Sequence, residues 1–109
     1  MSEAKSGASP SRPHILSIEQ FAPHVGKLFQ FIGTPYAFPL DRILGDAGAP
    51  ASGQARRPFA LIFRGPRDGD VLPEGLYDCA TEDGASFNLY VAPIHTPQPD
   101  RQEYQAAFN

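Results

Sequence analysis

The chain has 109 residues, the size of one domain, with a formal net charge of −3 and a pI of about 5.5. Arg56-Arg57 is its one adjacent basic pair, so it lacks the clustered cations with which proteins displace counterions from nucleic acid. A single cysteine excludes an internal disulfide, no apolar run reaches the length of a membrane span, and the first residues lack the apolar core of a signal peptide; the expectation is a soluble, cytoplasmic protein that binds neither nucleic acid nor membrane.

The 12 prolines and 10 glycines exceed the usual combined share of roughly 12 %, which favours short strands and turns over long helices. Residues 1–13 are Ser, Ala, Gly, Pro and charge, can bury almost nothing, and read as a disordered tail. Residues 14–109 read as a single β-rich domain. Ser17 and Gln20 form a capping-box pattern, and Ile18, Phe21, Ala22 and Val25 follow helical spacing. Pro23 and Gly26 limit that helix to one or two turns. Its Phe21 is expected to plug one end of the sheet.

Lys27–Ile32 reads as a first strand with Phe29 and Phe31 on one face, followed by a turn at Gly33-Thr34-Pro35. Tyr36–Leu44 reads as a second, with Phe38, Leu40 and Arg42 on one side and Pro39 marking it as an edge strand. Residues 45–55 read as a flexible loop of small residues. Phe59–Arg64 is the longest apolar run. Its length suits a strand, Pro58 opens it and Gly65-Pro66 closes it. Phe59, Leu61 and Phe63 share one face; Ala60, Ile62 and Arg64 share the other.

Pro73-Glu74-Gly75 fits a tight turn before a strand at Leu76–Ala80. Glu82-Asp83-Gly84 fits a hairpin turn. Ala85–Ala92 alternates most cleanly, with Phe87, Leu89 and Val91 inward and Ser86, Asn88 and Tyr90 outward. A Pro-rich loop at 93–101 precedes a last strand at Gln102–Asn109, with Tyr104, Ala106 and Phe108 on one face. About six short strands without βαβ spacing predict a small antiparallel barrel or roll with one short N-terminal helix.

Chemistry is sparse. His14, His24 and His95 have no metal-ligand spacing, and no second cysteine is present for a zinc site. Cys79, predicted on the Tyr77 face of its strand, reads as a buried inert thiol. Asp68-Gly69-Asp70 lacks the remaining ligands of a calcium loop, and Gly65–Gly69 lacks the Lys-Ser/Thr ending of a phosphate cradle. No catalytic residue, metal ligand or cofactor site is therefore assigned. Arg64, at the end of the central strand, is a candidate polar clamp for a carboxylate or carbonyl; its plainer reading is a structural salt bridge.

Two functions remain. The first is a non-enzymatic interaction or assembly module. Tyr104, Ala106, Phe108 and Asn109 would then present an edge to another protein by strand addition, unless that strand completes its own barrel. The second is a small-ligand-binding barrel or minor enzyme with a mouth lined by Tyr36, Tyr77, Tyr90 and Arg64.

Three blocks taken together carry a resemblance: Leu16–Gly26 (LSIEQFAPHVG), Phe59–Pro66 (FALIFRGP) with Leu72–Tyr77 (LPEGLY), and Glu103–Asn109 (EYQAAFN). In this order they resemble a small bacterial family known only as a domain of unknown function. The resemblance covers nearly all of the expected ordered chain. It implies an association with phage-tail-collar-like fibre proteins, and hence an accessory role in a fibre or tail-like structure with such a protein as partner. It brings no catalytic residues. The chain departs from the family pattern in its Gly/Ala loop at 45–55, and at Ala80–Gly84, where a His-Pro turn is expected.

Overall fold

The structure, a computed structural model, describes residues 16–45, 58–67 and 70–108. The tail expected at 1–13, His14, Asn109 and all but Gly45 of the small-residue loop lie outside the described residues.

Six strands close into an antiparallel barrel: β1 (Leu28–Phe31), β2 (Ala37–Gly45), β3 (Phe59–Pro66), β4 (Gly75–Thr81), β5 (Ser86–Ile94) and β6 (Arg101–Phe108). Around the barrel the order is β1-β2-β3-β6-β5-β4, and β4 pairs back onto β1. Hairpins make four of the six ladders. The other two, β3–β6 and β1–β4, join residues distant in the chain.

The alternating residues of each strand fill the interior. Phe29, Phe31, Phe38, Leu40, Leu61, Phe63, Leu89, Val91 and Tyr104 are all buried in one cluster. Rings supply much of it. Phe38 stacks on Tyr104 with centroids 4.7 Å apart, and Phe29 and Phe63 meet edge to face at 5.2 Å. A six-stranded barrel has room for side chains alone, and here they occupy it.

Both ends are plugged. At one, a single α-turn (Ile18–Phe21) tightens at Pro23 into a 3₁₀ turn (Ala22–His24). The Ser17 backbone N–H donates to Gln20 Oε1 at 2.7 Å, fixing the start of the turn. Phe21 then drops its ring among Phe59, Phe87 and Phe108, as the spacing predicts. Ala22 and Val25 are the exceptions: both stand exposed, Val25 because the chain is already extended there. At the other end the β3–β4 connection crosses over, with Leu72 fully buried and its N–H donating to the Tyr104 hydroxyl at 3.2 Å.

Four sequence expectations need correction. Pro39 does not mark an edge, because β2 pairs with β1 and β3. The proline is tolerated because the ladder to β3 starts one residue later, at Leu40↔Phe63. Arg42 does not share the face of Phe38 and Leu40. A bulge between Leu40 and Arg42 turns Arg42 outward, opposite Ile62, and brings Ile43 against the core. The central strand does not stop before Gly65-Pro66: both residues pair with Gln102 and Arg101 of β6, and the strand ends at Pro66. Likewise β5 continues through Pro93 to Ile94, past the last residue paired with β4, and crosses to β6.

Two substitutions test this packing. Phe21→Ala should destabilise the protein by about 3–5 kcal/mol in urea unfolding, the usual cost of emptying a buried phenylalanine site. At Gly65 a Cβ would lie 2.7 Å from the Phe38 ring. The stack on Tyr104 keeps that ring from retreating, so Gly65→Ala should cost roughly 1–3 kcal/mol.

Candidate functional site

The residues expected to bind a partner along an edge are placed elsewhere. Tyr104 and Ala106 are buried, and Phe108 packs against the core and stacks on Phe59 at 4.6 Å. β6 pairs with β3 along its whole length and with β5 at Glu103–Gln105. The strand completes the barrel and offers no free edge there. Deleting residues 103–109 should therefore unfold the domain, seen as loss of a cooperative thermal transition.

The four residues expected at a barrel mouth do not converge. Tyr36 and Tyr77 pack against the core, and the Tyr77 hydroxyl donates to the Pro73 carbonyl at 2.6 Å. Tyr90 faces outward and donates to Glu74. Arg64 faces outward from β3, in a different part of the wall.

Cys79 is buried, and that burial pushes its thiol up to about 12, in keeping with an inert side chain. His24 sits beside the end plug, edge-on to Phe29 and Phe87, with Nδ1 buried and unpartnered. Among the described residues no group of three His, Cys, Asp or Glu side chains is placed to hold a metal ion, and no helix is long and apolar enough to cross a membrane.

Polar chemistry collects on the outer face of β2, β3 and β6. Cross-strand pairing sets Arg64 opposite Glu103, and the bulge in β2 brings Asp41 and Arg42 alongside. Arg42 grips Glu103 with both Nη atoms, at 2.9 and 3.3 Å, and also donates to Asp41 Oδ2 at 2.8 Å. Arg64 Nη1 donates to Asp41 Oδ1 at 2.9 Å. Arg101 completes the cluster, 3.3 Å from Glu103 and 4.0 Å from Asp41. Arg64 is thus a clamp, but on a carboxylate of its own chain, as its plainer reading held.

Glu103 is the anchor, with its side chain only 5 % exposed. Its backbone N–H donates to Thr96 Oγ1 at 2.9 Å, tying the network to the loop before β6. Arg67 reinforces the same loop, donating to the carbonyls of Thr96 at 2.6 Å and Arg101 at 2.9 Å. The hydrogen bonds from Arg42 hold the Glu103 carboxyl below the usual range. In sequence the only cue to this cluster was Arg64. Arg42 and Glu103 lie 61 residues apart, and the bulge that turns Arg42 outward has no sequence mark.

A group whose folded pKa is depressed stabilises the fold above its unfolded pKa, and that contribution disappears as pH falls through the folded value. Glu103 therefore stabilises the protein at neutral pH and progressively less below the carboxylate range of about pH 4. Glu103→Gln should cost roughly 1–3 kcal/mol at pH 7, with a difference from wild type that shrinks under acid, measured by urea unfolding across pH.

Searches of curated proteins and of solved structures give no match. A family model described as a domain of unknown function, DUF6916, matches residues 16–108, which span the N-terminal plug and all six strands. The chain is a member of that family, the domain of unknown function DUF6916.

Proposed function

We propose that the protein is a non-enzymatic interaction module that helps assemble a fibre or phage-tail-like structure, with a tail-collar-like fibre protein as its partner. One observation carries the reading. On the outer face of the β1–β4–β5 wall large apolar side chains stand exposed beside the polar pair Asp78 and Asn88, which hydrogen-bond to each other. Leu28 and Ile32 on and just after β1, Leu76 on β4 and Tyr90 on β5 are all between 49 and 63 % exposed. Three of them are neighbours by register: Leu76 opposes Tyr90, and the Ile32 N–H donates to the Asp78 carbonyl two residues along β4, while Leu28 lies near the other end of that strand. Single exposed apolar residues are ordinary, but a group on adjoining strands suits a protein contact. The side-chain-filled barrel supports the same reading, since it leaves recognition to the outer surface. The resemblance supplies the kind of partner and is associational.

The test is affinity capture of the tagged full-length protein from its native cells, followed by mass spectrometry. Enrichment of a fibre or tail-collar-like protein over a tag-only control is expected. Leu76→Lys should reduce that enrichment about tenfold while leaving the thermal transition in place, because the residue is exposed and contributes little to the core. Absence of any such protein, or capture unaffected by Leu76→Lys, would refute the proposal.

A further inference from the structure

On the opposite wall, β3 outruns its ladder with β2. That ladder ends at Leu40↔Phe63, and Arg64, Gly65 and Pro66 pair only with Glu103, Gln102 and Arg101 of β6. On the β2 side stands Pro39, which has no N–H to offer. The parting strands leave a groove of about 510 Å³ lined by Pro39, Arg64, Gly65, Pro66, Asp100 and Arg101.

We propose that this groove binds a carboxylate carried by an extended segment of a partner protein, with Arg64 and Arg101 as the recognising groups. That the carboxylate belongs to a protein rests on the interaction-module reading. The groove itself is independent of the apolar wall.

The guanidinium groups are held but not saturated. Arg64 lines the groove with a half-exposed side chain, and among the described residues that side chain makes one hydrogen bond, through Nη1 to Asp41, which leaves its other N–H donors available to a ligand. Arg101 has a buried Nε with no partner, and its Nη contacts are the long ones of the cluster. An arginine so placed gains by turning toward an acceptor in the groove. Asp41 and Glu103 do not compete for the incoming group. They are engaged by Arg42 and Arg64 and serve to fix the forks in place.

The local charge selects the ligand. Among the described residues, Arg42, Arg64, Arg67 and Arg101 stand against Asp41, Asp100 and Glu103, four cations to three anions, on a chain whose net charge is −3. One surplus positive charge, with Asp100 at the rim, matches a single carboxylate better than a phosphate dianion. The unpaired side of β3 at Arg64–Pro66 gives an extended segment a strand to lie along.

The test uses the ¹⁵N-labelled full-length protein and reads its arginine Nε–Hε signals by NMR. The probes are a blocked hexapeptide of alternating Glu and Val, its Gln counterpart and inorganic phosphate. The Glu peptide should shift the Arg64 and Arg101 signals and the Gln peptide should not. Arg64→Gln should weaken the Glu peptide about tenfold. Asp100→Asn, which removes the opposing carboxylate, should tighten it a few-fold, a gain that misfolding cannot produce. The inference is overturned if the two peptides act alike, if neither moves these signals, if Arg64→Gln binds as wild type does, or if phosphate binds more tightly than the Glu peptide. Capture of a fibre protein together with a silent groove would refute this inference and leave the module reading standing; a responsive groove without fibre capture would do the reverse.

Discussion

The ladder between β3 and β6 is the constraint on which the other features depend. It runs unbroken from Phe59↔Phe108 to Pro66↔Arg101 and is the longest register in the barrel. Its inward side carries Phe59, Leu61, Phe63, Tyr104, Ala106 and Phe108, the middle of the core. Its outward side sets Arg64 against Glu103 and so assembles the ion-pair cluster. A slip of one residue would exchange the two sets, placing arginine among phenylalanines. The cost of burying that charge is what pins the register.

Around that ladder the barrel divides its labour by direction. Inside, aromatic rings meet tilted, edge-on or stacked, with Phe21 and Leu72 closing the two ends. Outside, one wall exposes Ile32, Leu76 and Tyr90 around the Asp78–Asn88 pair, and the other is charged at Arg42, Arg64, Arg101 and Glu103. Two chemically different faces on one small barrel are what the proposed interaction module requires, since each face can select a different kind of contact.

The charged cluster also shows how a buried acid can be tolerated. Glu103 is almost fully enclosed, a costly position for a lone carboxylate. Here Arg42 meets it with both Nη atoms, Arg101 lies nearby, and the Glu103 backbone is tied to Thr96. Asp41, shared between Arg42 and Arg64, extends the network across the bulge in β2. The arrangement is specific as well as stabilising, because a fork-shaped donor accepts few geometries.

The sequence by itself determined the local elements. Alternation placed Phe87, Leu89 and Val91 inward, the capping pair Ser17 and Gln20 started the helical turn, and the turn residues at Gly33 and Gly84 sit at positive φ where the hairpins need them. These follow from side-chain period and backbone sterics, which act over a few residues. Only the tertiary structure decided which strands meet. From sequence, Tyr104, Ala106 and Phe108 read equally well as an exposed edge or a barrel seam, because a strand's apolar face looks the same in either setting. The outward turn of Arg42 and the burial of Glu103 depended on a bulge and a pairing between residues 61 apart, which no local pattern records. Closure removed the edges that Pro39 and the last strand had suggested, since a barrel satisfies backbone hydrogen bonds by pairing distant segments.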